Sequence, residues 1–144
     1  MITMHRVLVC DDQDLVRLSV LEILKRQTGV QVVGEASGGE AAIRAALELL
    51  PDLVIMDVSM PEVDGLEATR QIVANAPGVK VLAHSAESEW RMVEKMLAAG
   101  ARGYVLKRGD PVELMCAIRV VLAGGSFLSP GLLGNTSSAE ESAL

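Results

Sequence analysis

The chain has 144 residues, a length that suits one domain with a sizeable buried core. Half of its residues are hydrophobic and 22% are charged, which excludes intrinsic disorder, and with only 2% aromatics the core must be built from Leu, Val, Ile, Ala and Met. A net charge of −6 argues against nucleic-acid binding by this chain itself, because phosphate backbones need a basic patch.

The apolar runs are short and broken by charge, so none approaches the roughly 20 residues of a membrane span. The segment from Met1 to Arg6 leads straight into a strand-like run, without a basic-then-apolar leader. A cytoplasmic location with no membrane association is expected. In that compartment Cys10 and Cys116, both within apolar stretches, read as buried reduced thiols, and no zinc-ligand spacing is present.

In chain order, short apolar runs alternate with longer segments of helical character. A strand at His5–Cys10 precedes a helix at Asp14–Gln27, and a strand at Val30–Ala36 precedes a helix at Gly39–Leu50. A strand at Leu53–Met56 leads to a helix at Gly65–Ala76, and one at Val79–Ala83 to a helix at Glu89–Ala99. The last pair is a strand at Gly103–Leu106 and a helix at Pro111–Ala123. Strands this short and apolar suit a parallel sheet covered on both faces, and strict alternation argues for right-handed βα units. The expected fold is a doubly wound α/β domain with a five-stranded parallel sheet, of the flavodoxin-like (βα)5 kind.

Helix-start signals agree. Ser37 with Glu40, Asp64 with Glu67 and Asp110 with Glu113 have capping-box spacing, and Pro111 takes the tolerated first helical position. Gly29, Gly100 and Gly124 sit where helices should stop. Val93, Met96, Leu97 and Gly100 repeat at helical spacing, the mark of a core-facing stripe. Beyond Gly125 the composition shifts toward Ser, Ala and Glu. The domain is assigned to residues 1–128, and residues 129–144 are expected to be a tail or the start of a linker.

Function in an open parallel α/β sheet collects at the carboxyl ends of the strands. There the first strand delivers Asp11 and Asp12, the third Asp57, the fourth Ser85 and the fifth Lys107. Two carboxylates about 4 Å apart repel by roughly 4 kcal/mol at an effective dielectric near 20. Three of them need a counter-charge, which Lys107 supplies in part and a hard divalent ion such as Mg²⁺ completes. With its charge screened in this way, Asp57 is placed to attack phosphorus and become an aspartyl phosphate, while Ser85 and Lys107 contact phosphoryl oxygens. Competing chemistries lack their residues. There is no Gly-x-x-x-x-Gly-Lys-Ser/Thr loop, no Gly-x-Gly-x-x-Gly after the first strand and no Gly-x-Ser-x-Gly elbow. An aspartyl-nucleophile phosphatase wants a second Asp two residues after the first, where Ser59 stands. His5 starts a strand away from this rim, and His84, beside Ser85, is left outside the site.

The runs Val7-Leu8-Val9-Cys10-Asp11-Asp12, Asp52-Leu53-Val54-Ile55-Met56-Asp57, Met60-Pro61-Glu62-Val63-Asp64-Gly65, Ser85-Ala86 and Gly103-Tyr104-Val105-Leu106-Lys107 together resemble the receiver domain of two-component response regulators. The resemblance covers about His5 to Leu128. It implies that Asp57 accepts a phosphoryl group from a sensor histidine kinase. It further implies that Asp11, Asp12, Asp57 and the backbone carbonyl of Ser59 hold Mg²⁺ or Mn²⁺, and that Ser85 and Lys107 contact the phosphoryl group. Tyr104 matches the aromatic that turns inward as the serine hydroxyl moves, and Ser59 and Glu87 match positions that tune phosphate lifetime. Such a chain catalyses only its own phosphorylation and dephosphorylation and is not otherwise an enzyme.

Gly65-Leu66-Glu67-Ala68-Thr69-Arg70, Ala99-Gly100-Ala101-Arg102-Gly103-Tyr104 and Gly124-Gly125-Ser126-Phe127-Leu128-Ser129-Pro130 resemble the NarL/FixJ (LuxR-type) subfamily. Arg108, where many receivers have proline, fits that subgroup. Its members usually carry a C-terminal helix-turn-helix, so DNA contact and transcription control would belong to a part not in this sequence. Phosphorylation-promoted homodimerisation is the implied route to that output. The alternative is a natural stand-alone receiver acting through protein contacts.

Overall fold

The computed structural model describes residues 3–132. β1 (His5–Cys10), α1 (Asp14–Lys25), β2 (Val30–Ala36), α2 (Gly39–Leu49), β3 (Leu53–Asp57), α3 (Gly65–Asn75), β4 (Lys80–Ser85), α4 (Trp90–Ala98), β5 (Gly103–Leu106) and α5 (Pro111–Leu122) follow in strict alternation. A short β6 (Phe127–Leu128) closes the series. All pairings are parallel, in the order β2-β1-β3-β4-β5-β6. The doubly wound architecture is the expected one, with two corrections. The sheet has six strands, and β4 runs on through His84 and Ser85, past the apolar run that ends at Ala83.

The sheet separates two cores by residue parity, since successive strand side chains point to opposite faces. Val7, Val9, Leu53, Ile55, Leu82 and Val105 pack with α1 and α5. Leu8, Cys10, Val54, Met56, Val81, Ala83, Tyr104 and Leu106 pack with α2, α3 and α4. The stripe expected in α4 is observed, with Val93 and Met96 fully buried. Carried to the strand ends, the same parity puts Asp57, His84 and Lys107 on the α1/α5 side, and Ser85 on the other.

Two of the expected caps form as side-chain bonds. Asp64 accepts from the Glu67 N–H at 2.9 Å, and Asp110 accepts from Val112, at 2.9 Å, rather than from Glu113. Ser37 does not cap α2, whose N-cap is Gly38 with no side-chain bond. Cys10 is buried as expected, but Cys116 is exposed, because its position on α5 faces away from Ala117 and Ile118; both thiols are free. No helix among the described residues is long and apolar enough to cross a membrane.

The chain stays on the body beyond residue 128. Ser129 and Leu132 are fully buried, the Ser129 N–H donates to the Tyr104 carbonyl at 3.0 Å, and the Ser129 hydroxyl accepts from the Leu106 N–H at 2.9 Å. The first residues assigned to the tail therefore belong to the fold, because β5 would otherwise present unpaired backbone along its edge. The remainder of the tail, 133–144, lies outside the described residues. Ser129→Ala leaves the buried Leu106 N–H without its partner and is expected to cost about 1–3 kcal/mol, readable by urea denaturation.

Candidate functional site at the carboxyl edge of the sheet

β1 and β3 bring three carboxylates together. Asp11 and Asp57 are almost fully buried and Asp12 half-buried, and one oxygen from each lies within 4.8 Å of the other two. Lys107, one residue past β5, answers them. Its ammonium lies 2.9 Å from Asp11 Oδ2 and 3.1 Å from Asp57 Oδ1, and donates to Gln13 Oε1 at 3.4 Å. Burial pushes the Asp57 carboxyl up to about 7; Lys107 pulls against that rise, while Asp11 and Asp12 add to it.

One ammonium against three carboxylates leaves an excess of negative charge in a largely dehydrated site. A set of carboxylate oxygens with no nitrogen or sulfur donor fits a hard divalent cation such as Mg²⁺ or Mn²⁺. The residues present therefore fit the metal that the resemblance implies.

Ser85 and Tyr104 form a second group at the same edge, on the α2–α4 side. Ser85 Oγ accepts from the Glu87 N–H at 3.0 Å, and the Tyr104 hydroxyl donates to the Glu87 carbonyl at 2.8 Å. The backbone of Glu87 is thus held at both polar ends by residues of β4 and β5. Tyr104 is fully buried in the inward position, its hydroxyl next to that of Ser85, and burial raises its pKa. The two groups are joined through the backbone, where the Lys107 N–H donates to the Ser85 carbonyl at 2.8 Å. Ser59 and Glu87 are exposed on the rim, and the Ser59 N–H reaches Asp57 Oδ1 at 3.3 Å.

Of three supporting residues, Arg17 and Gln13 carried no signal of their own in the sequence, and Gly65 showed only as part of a motif. Arg17 Nη1 donates to the Asp11 carbonyl at 2.8 Å, while its other nitrogens hold Asp14 at 2.8 Å and Glu35 of β2 at 3.0 Å. Gln13 donates its N–H to Asp11 Oδ1 at 2.9 Å. Gly65 opens α3 against the backbone at the end of β3, its N–H on the Val58 carbonyl at 2.9 Å. Arg17 lies one helical turn into α1, so only the fold reveals that it reaches back to the loop. His84, set aside from the sequence, is buried on the Asp57 side of the sheet and lines a cavity together with Lys107.

Residues 7–119 match the response regulator receiver domain family model. The chain is 46% identical over 127 residues to the response regulator GacA of Pseudomonas viridiflava, covering 88% of this chain and 59% of that relative's length. Its fold is similar to the crystal structure of a LuxR-family two-component response regulator from Aurantimonas sp. SI85-9A1, with a TM-score of 0.91, 33% identity, and coverage of 96% of this chain and 99% of that one. It is also similar to the isolated REC domain of RcsB from Salmonella enterica serovar Typhimurium in the presence of the phosphomimetic BeF3⁻, with a TM-score of 0.84 and 25% identity over 90% of this chain and 96% of that one.

Proposed function

This chain belongs to the response regulator receiver domain family, and from that premise we propose that it is the phosphorylation switch of a two-component system, with Asp57 as acceptor. The observation that carries the reading is the pair of contacts from Lys107 to Asp11 and Asp57 within a cluster of three carboxylates. Bound Mg²⁺ or Mn²⁺ would be held by Asp11, Asp12, Asp57 and the backbone carbonyl of Ser59, and would neutralise phosphoryl oxygens during transfer.

An Asp57 carboxylate oxygen attacks the phosphorus of a kinase phosphohistidine, and the P–N bond breaks to return the imidazole. Lys107 then trades a carboxylate for a phosphoryl oxygen, and the Ser85 hydroxyl donates to another. In doing so Ser85 turns from the Glu87 N–H, while Tyr104 keeps the Glu87 carbonyl. The added charge of roughly −1.5 to −2 is large enough to shift this loop and α4 between two arrangements. Ser59 and Glu87, exposed beside the acceptor, set how readily water reaches the phosphoryl group. Apart from its own phosphorylation and dephosphorylation the chain catalyses nothing.

The kinase would dock beside the rim on α1, where Leu15 is 80% and Leu18 54% exposed. Phosphorylation would promote homodimerisation, and a DNA-binding output domain outside this sequence would read it, in the cytoplasm. The greater length of the GacA relative supports an output domain beyond residue 144.

The test is intact mass after incubation with acetyl phosphate and Mg²⁺, beside Asp57→Asn. One labile phosphoryl group, dependent on Mg²⁺ and missing in the variant, is the expected result. A group that persists in the variant, or none from either acetyl phosphate or a histidine kinase, sinks the reading. Arg17→Ala frees the Asp11 carbonyl and is expected to weaken Mg²⁺ binding about tenfold by calorimetry.

A further inference from the structure

A cavity of about 190 Å³ lies under α1 and α5, behind Lys107. Its walls are apolar over Val16, Val20, Ile23, Leu106 and Leu114. The polar groups on it are mostly engaged. Ser19 Oγ donates to the Leu15 carbonyl at 2.9 Å, Asp110 accepts from the Val112 N–H at 2.9 Å, and the Lys107 ammonium is taken by Asp11 and Asp57. His84 differs from them. It is only 7% exposed, and among the described residues its ring makes no hydrogen bond.

We propose that this cavity is a binding site for a small uncharged amphiphile of phenol size, its apolar body against α1 and α5 and its hydroxyl on the His84 imidazole. Size supports the class: an apolar protein cavity of about 150 Å³ is sufficient to bind benzene. Charge supports it as well. A cation would meet Lys107 and an anion would meet Asp110. A neutral imidazole presents a donor on one ring nitrogen and an acceptor on the other, and a hydroxyl can pair with either.

The consequence for signalling rests on the proposed function. The Lys107 side chain forms part of the cavity wall, so an occupant constrains the ammonium that must move from Asp57 to the phosphoryl group. Occupancy is expected to change the rate of phosphoryl uptake from acetyl phosphate at least twofold.

The experiment titrates phenol, with benzene as comparator, into the ¹⁵N-labelled chain. Saturable shifts confined to α1, β4, the end of β5, the β5–α5 loop and the start of α5 are expected, with a Kd of about 1 mM or tighter. Benzene should bind about 2- to 10-fold more weakly, the factor one net hydrogen bond provides. His84→Phe, which fills the space, should abolish the shifts. Ser19→Phe, on the exposed side of the cavity, should do the same without touching the core. Shifts that do not saturate, that survive both substitutions or that are equal for benzene overturn the site and leave a water-filled cavity. Phenol binding in a protein that takes no phosphoryl group would overturn the proposed function and leave the site standing. Binding with an unchanged rate of uptake overturns the link to Lys107.

Discussion

Gly65→Ala is expected to cost about 3 kcal/mol or more and to lower the melting temperature by about 10 °C. A β-carbon at this position would lie 1.9 Å from the Asp57 carbonyl oxygen and 2.8 Å from both the Asp57 carbonyl carbon and Val58 Cα. All three are backbone atoms of the strand end that carries Asp57, so no side-chain rotation relieves the overlap. Alanine is the better helix former by about 1 kcal/mol, which is too little to offset the clash. Gly78→Ala is the control, since nothing lies within 4 Å of its added carbon, and its effect should stay within about 0.5 kcal/mol. Urea denaturation of the two variants checks the contrast. At temperatures where Gly65→Ala remains folded, its phosphoryl uptake should still fall, because the backbone that must yield is the strand end that presents Asp57. Full stability in this variant would mean that α3 and β3 are less tightly apposed than these distances require.

That contact shows what a sequence discloses and what it hides. Gly65 is visible as part of Met60-Pro61-Glu62-Val63-Asp64-Gly65, but the reason for a glycine there is a distance between two backbones, which no spacing encodes. The clustering of Asp57 with Asp11, Asp12 and Lys107 was legible because each stands at the end of an apolar strand, and strand ends converge in a parallel sheet. Parity even separates Ser85 from Asp57, His84 and Lys107. Arg17 and Gln13 were not legible: Arg17 acts on a backbone carbonyl six residues back, and any polar residue on an exposed helix turn looks the same in sequence. Cys116 was misread for a related reason. Its neighbours in sequence are apolar, yet α5 turns it outward while burying Met115 and Ala117. β6 escaped notice because Phe127–Leu128 is too short to show a period, and its pairing depends on the open edge of β5.

Asp57 itself should destabilise the fold when no metal is present. Burial raises the Asp57 carboxyl from 3.8 to about 7, so the native chain keeps a proton that the unfolded chain releases. Stability on this account falls as pH rises through that interval, and the full cost is present above it. Asparagine does not titrate. In a chelator, Asp57→Asn is therefore expected to match the parent near pH 4 and to exceed it at pH 8, by on the order of 3 kcal/mol. His84 acts in the opposite sense, since its pKa falls from 6.5 to about 4 and the unfolded chain is protonated first. Its contribution is lost as pH falls through that interval. The two slopes oppose each other in the parent, whose stability should vary little between about pH 4 and 6.5. In Asp57→Asn the His84 slope stands alone, and stability should rise with pH. Saturating Mg²⁺ should narrow or reverse the difference at pH 8, because the cation stabilises only the form that binds it and the variant has lost a charged ligand. Urea titrations at pH 4, 6 and 8, with and without Mg²⁺, read all of this. A variant less stable than the parent at pH 8 in chelator would mean that Lys107 more than offsets the burial of Asp57.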